Sequence, residues 1–180
     1  MNTRLFCFLI ILFTIGGCSK IKDATTISLS THLQTSIPVT VTAVGIKSYN
    51  IIAVGNAITF TKSQDLTLAS NVDLAPYLEK IKAINLNSLI VTISGLAANQ
   101  TINSVTLNVA GVGDIFTQTN ISSASNSFTP TIASGILDQV AAKLTSDRKI
   151  TLTVSGNASG IMSFTVGLNI DTSVVVYTIS

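Results

Sequence analysis

From Ala24 to the C-terminus, apolar and polar residues alternate one by one, and this alternation constrains the fold more than any other feature of the chain. A period of two puts every second side chain on one face, as in a strand with one buried side. Ile37, Val39, Val41 and Ala43 alternate with Pro38, Thr40 and Thr42. Val105, Leu107 and Val109 alternate with Thr106 and Asn108, and Ile150, Leu152 and Val154 with Thr151 and Thr153. Phe164, Val166, Leu168 and Ile170 make the longest clean run. β-branched residues on both faces favour the extended backbone further.

Two segments leave that period. Asn71 to Ile84 carries Leu74, Tyr77, Leu78 and Ile81 at helical spacing, with Asn71 placed to cap and Pro76 in the first turns. Thr131 to Ser146 puts Ile136, Leu137, Val140, Ala141 and Leu144 on one face, with Thr131 or Ser134 as its cap. Both read as short connecting helices at the ends of a sandwich. Val-Thr-Ile-Ser-Gly at 91–95 is echoed by Leu-Thr-Val-Ser-Gly at 152–156, each followed by a polar loop and another strand. The loops are Leu96 to Asn103 and Asn157 to Gly160, and the Ser-Gly and Gly-Asn steps that lead into them suit the positive φ of hairpin turns. Gly111-Val112-Gly113-Asp114 reads as another such turn. The expected fold is all-β: an immunoglobulin-like two-sheet antiparallel sandwich with two short helices, in a single domain over residues 24–180.

Composition bounds the function. The chain is 47% hydrophobic but 10% charged, and its 21 serines and 24 threonines occupy much of the polar phase of the strands. Low charge with high hydrophobicity is the reverse of a disordered chain. A net charge of +2 supplies no phosphate-binding surface, so nucleic acid is not an expected partner.

The first residues break the pattern. Arg4 precedes an apolar run, Leu5 to Ile15, too short to span a bilayer but of signal-peptide length. Ile15-Gly16-Gly17-Cys18 then resembles a bacterial lipobox. The small pair admits the backbone to a peptidase cleft, and the Cys18 thiol is the nucleophile that takes a diacylglyceryl group. The resemblance implies cleavage between Gly17 and Cys18, lipidation of Cys18, a signal peptide over 1–17 and a tether over 18–23. Cys7 leaves with the signal, so no disulfide forms within the remaining 163 residues. Ser19, where an aspartate would retain a lipoprotein at the inner membrane, implies the outer membrane, with the domain facing the periplasm or the surface.

A catalytic set is hard to find. His32 is the one histidine, in phase with Ser28 and Ser30 and away from the apolar face. No Gly-x-Ser-x-Gly elbow and no calcium-loop pattern occurs, and the eight carboxylates are scattered. The expectation is a protein that is not an enzyme and takes no metal and no cofactor. With no Trp and three Tyr, a carbohydrate platform is not expected either. The one apolar stretch without alternation is Val44 to Gly55. It is either a short buried strand or an exposed loop that meets a partner through Ile46, Tyr49, Ile51 and Ile52.

Tyr77-Leu78-Glu79-Lys80-Ile81-Lys82-Ala83-Ile84-Asn85-Leu86-Asn87-Ser88-Leu89, followed by alternating strands and a Val/Thr-rich ending at Ser173 to Ser180, resembles a group of bacterial envelope lipoproteins. That resemblance carries over no activity and no site residues. The lipobox, the absent catalytic sets and the polar Ser/Thr faces instead lead to the expectation of a membrane-anchored, non-catalytic module for binding, adhesion or assembly, with an envelope protein as a candidate partner. The alternative is an envelope enzyme or a small-ligand carrier.

Overall fold

The computed structural model describes residues 25–42 and 57–178. Gly17, Cys18 and the Val44–Gly55 stretch with Ile46, Tyr49, Ile51 and Ile52 lie outside the described residues.

The alternating segments become strands. In chain order these are β1 (Thr25–Val41), β2 (Ile58–Thr67), β3 (Ile81–Ser94), β4 (Thr101–Val109), β5 (Gly113–Ser122), β6 (Ser127–Phe128), β7 (Lys149–Ala158) and β8 (Met162–Thr178). They form two antiparallel sheets of four, ordered β1-β8-β3-β6 and β2-β7-β4-β5. The expected two-sheet antiparallel sandwich is the fold. An immunoglobulin-type sandwich places its first, second, fourth and fifth strands in one sheet. Here the first strand pairs with the last, and the order is that of a jelly roll.

The period-two pattern explains the layers. Along β8 the even-numbered residues from Met162 to Val176 point inward and are buried. The odd-numbered ones, Ser163, Thr165, Asn169, Asp171 and Ser173 among them, face out. Ile37, Val39, Val91, Ile93, Val166 and Leu168 meet Ile102, Val105, Leu107, Leu152 and Val154 between the sheets. Burying one such side chain contributes about 1.5–3 kcal/mol. Phe60 of β2 meets Phe164 of β8 edge to face, centroids 5.3 Å apart, and so ties the sheets across the core.

The first expected helix is much shorter than Asn71 to Ile84. Only a 3-10 turn forms, Ala75–Lys80, preceded by another at Leu68–Ser70. Ile81 and Ile84 belong to β3, opposite Val176 and Val174. Ladder bonds and β-branched packing there outweigh helical spacing, and Pro76 offers no N–H to extend a helix backward. Asn71 does not cap the Ala75–Lys80 turn: the cap position is Leu74, which makes no side-chain cap bond, and Asn71 Oδ1 instead accepts the N–H groups of Asp73 (3.0 Å) and Leu74 (3.1 Å) in the turn before it.

The second helix, α1 (Ser134–Asp147), forms as read, with Val140, Ala141 and Leu144 buried. Its cap position is Ala133, which makes no side-chain cap bond, so neither Thr131 nor Ser134 caps it. Leu137 and Val140 close the core against residues of both sheets, leaving a void of only about 20 Å³.

The glycines divide. Gly95, Gly111 and Gly113 have positive φ in turns, as expected. Gly156 does not: it sits inside β7, paired with Phe60 and Val105. A register shift in β4 between Ile102 and Ser104 brings the Ser104 carbonyl so close that a Cβ on Gly156 would lie 2.0 Å from its oxygen.

Candidate functional site

Two depressions flank His32. The larger, about 420 Å³, runs between β1 residues Ser30–Gln34 and the segment Leu66–Asp73. A side-chain network holds its two walls together. Asn71 Nδ2 donates to Thr31 Oγ1 (3.2 Å) and to the His32 carbonyl (2.9 Å), and Thr31 Oγ1 donates to Asp73 Oδ2 (2.9 Å). Thr31 is buried although polar, and these bonds are what make its burial tolerable. Ser30, His32 and Gln34 line the open side.

The smaller depression, about 230 Å³, is lined by His32, Ser88, Ile90, Asn169 and Asp171 on the outer face of the first sheet. His32 Nε2 stands 3.9 Å from Asp171 Oδ1, and Asn87 Nδ2 donates to Asp171 Oδ2 at 3.1 Å. Asn169 Oδ1 is covered and has no hydrogen-bond partner among the described residues.

His32, Asp171 and Ser88 stand in one cross-strand row, because both His32 and Ser88 register against Asp171. These are the residue types of a hydrolytic triad, but in the wrong order. A triad needs the imidazole between serine and carboxylate. Here the carboxylate is in the middle, and two strand spacings put His32 about 9–10 Å from Ser88. The row cannot pass a proton from Ser88 to His32. Among the described residues no three His, Cys, Asp or Glu side chains come together to hold a metal ion. His32 faces away from the core, as its phase in the sequence predicts.

No known protein family and no curated protein matches the chain. Among solved structures it is similar to a chain of turnip yellow mosaic virus, at 11% identity and a TM-score of 0.38 over 87% of this chain and 84% of that one. It is also similar to a chain of Desmodium yellow mottle tymovirus, at 13% identity and a TM-score of 0.36 over 87% and 91%. Likenesses of this degree carry no functional argument.

The charge map is more telling, and sequence reading missed it because charged residues far apart in the chain meet only in the fold. At the near end β1 begins, β8 ends, and β2 runs out beside the start of β7. Lys80, Lys82, Lys143, Arg148 and Lys149 gather there with Asp65, Asp73, Glu79, Asp114 and Asp147. Lys62, Asp138 and Asp171 lie nearer the middle. At the far end β1 stops, β2 starts, and residues 95–100, 122–126 and 159–161 turn. None of the described residues there is Lys, Arg, Asp or Glu. These turns are tied together: Ser159 N–H donates to the Thr101 carbonyl (2.9 Å), Thr101 N–H to Ser159 Oγ (3.1 Å), and Ile93 N–H to the Asn126 carbonyl (2.7 Å). The far end displays serine, asparagine, alanine and Ile161, which is 65% exposed.

Proposed function

We propose that the chain is a lipoprotein of the bacterial envelope, anchored in the outer membrane through Cys18 and facing the periplasm or the surface. In this reading it acts as a non-catalytic binding, adhesion or assembly module. The observation that carries the binding role is the far end, where none of the described residues is Lys, Arg, Asp or Glu, and which is also the end farthest from the start of β1. A rigid cluster of small polar loops around an exposed aliphatic side chain is the composition of adaptable contact surfaces. An envelope protein is the partner such a neutral surface suits. The anchor is supported by the lipobox resemblance and by β1 starting only seven residues after Cys18.

The anchor is tested by growing cells with a clickable fatty acid. The parent chain should take the label and fractionate with the outer membrane. Cys18→Ala should lose both label and membrane retention, and equal labelling of the two would end this reading. The far end is tested by Ile161→Asp, which should leave folding intact and reduce recovery of a partner from solubilised membranes.

A second reading, a carrier of a small polar ligand, is favoured by the 420 Å³ cleft and, in the smaller depression on the other side of His32, by Asn169 Oδ1, which has no hydrogen-bond partner among the described residues. A cleft of that volume is within the range of small-molecule sites. Thermal stabilisation by a polar metabolite, lost in Gln34→Ala, would favour this reading over the first.

A further inference from the structure

Among the described residues each sheet ends in two strands with an unpaired side, and natural sheets guard such edges with charge, proline, bulges or shortness. Three of the four edges here are guarded. β6 has two residues. β2 carries Lys62 and Asp65. β5 carries Asp114, pairs through a register shift, and holds Asn120 at φ 56°.

β1 is different. It is 17 residues long, contains no Lys, Arg, Asp or Glu, and pairs with β8 without a register shift. Three observations fix which of its backbone groups face outward. The His32 carbonyl accepts from Asn71, off the β8 side. Pro38, which has no N–H, belongs to the same even-numbered set. Ile93 N–H turns away from β8 to Asn126, which leaves the opposite residue, Val166, to bond Ile37 of β1. Odd-numbered residues therefore bond β8, and even-numbered ones point at the free edge. The two guards β1 does have, Asn71 on His32 and Pro38, both lie beyond Thr31. Among the described residues nothing bonds the outward main-chain groups of Thr26, Ser28 and Ser30.

We propose that this open stretch pairs with the same stretch of a second copy, antiparallel about a two-fold axis at Ser28. Only even-numbered residues offer outward groups, so each bonded pair must join two of them. The register centred on Ser28 joins Thr26 to Ser30 of the partner and Ser28 to Ser28, each pair exchanging both main-chain bonds. Moving the centre toward the C-terminus would bring in His32, whose carbonyl Asn71 already holds.

The stretch is complementary to itself. Hydroxyl side chains meet hydroxyl side chains on the outer face, and no like charges oppose one another. On the other face Ile27, 38% exposed in one copy, meets the half-buried Leu29 of the next. The two-fold sets the two chain entries at opposite ends of the paired stretch, about 20 Å apart along the strand.

The register predicts Cα atoms of Ser28 and its partner copy about 5.5 Å apart, inside the window for a disulfide. Full-length Ser28→Cys, oxidised mildly in the cell fraction where the chain is found, should give a covalent dimer. Gln34→Cys, on the same face of β1 but outside the paired stretch, should stay at the background set by the parent. Ser28→Pro removes an N–H that faces only the free edge, as Pro38 already does. It should sediment as a monomer in detergent, with thermal unfolding lowered only by the loss of the exposed Ser28 Oγ–Ser173 Oγ bond. Equal crosslinking at 28 and 34, a crosslinked product of another mass, or a parent chain that sediments as a monomer at every concentration would each overturn the proposal.

Discussion

A single missing methyl group holds one of the tightest contacts in the sandwich. With any side chain at Gly156, the Ser104 carbonyl or the Phe60 ring would have to move, and Phe60 is fixed edge to face on Phe164. Gly156→Ala should lower the denaturant midpoint by the equivalent of about 2–4 kcal/mol with an unchanged slope. The sequence placed this glycine in a turn, because Ser-Gly before a polar residue is a turn signal. The close approach that demands it comes from a bulge on another strand, which no local pattern announces. Thr31 is a similar case: its phase marks it as inward-facing, but nothing near it names its partners, Asn71 and Asp73, some 40 residues on. Thr31→Val keeps the shape and strips both partners of a bond. It should cost about 1–2 kcal/mol in equilibrium unfolding.

Among the elements, α1 shows how far periodicity reaches. Its apolar stripe was legible and its boundaries came within three residues, but its first turn is weaker than the sequence suggested. Ala133 makes no cap bond, and Gly135 stands exposed with nothing within 4 Å of an added Cβ. Gly135→Ala should therefore stabilise the protein, by about 0.5–1 kcal/mol, read as a raised melting temperature. The last turn carries its own charge pair. Lys143 Nζ donates to Asp147 Oδ2 at 2.8 Å, and this bond, with one from Ser146, holds the Asp147 carboxyl below the usual carboxylate range. A lowered carboxyl contributes stability above its ordinary titration range and loses it as pH falls through the lowered value. The pair is exposed, so that contribution is small. In Lys143→Met, an NMR titration should find the Asp147 midpoint moved up toward the ordinary value, and unchanged titration would show that Lys143 is not the cause. The 3-10 turn at Ala75–Lys80 marks the opposite limit: helical spacing was present, but strand partners elsewhere in the chain decided the outcome.

For the molecule as a whole, alternation revealed the two sheets and their inward faces but not the strand order. Register and neighbours depend on pairings such as Thr25 with Thr178, which no window of sequence contains. The far end, free of charge among the described residues, was hidden for the same reason. That strand order has a consequence in time. β8 lies between β1 and β3, so the first sheet has no centre until the last 17 residues of β8 have left the ribosome. Pairings between chain ends are slow to form, and mostly non-local β topologies fold in milliseconds to seconds. Under the proposal that the chain is exported to the envelope, such a delay serves it, since everything made before β8 lacks the strand that would lock it. Ending the chain at Ile161 should therefore leave a polypeptide without cooperative unfolding and readily cut by protease. A truncated chain that still resisted protease would show that β1 and β3 find another partner.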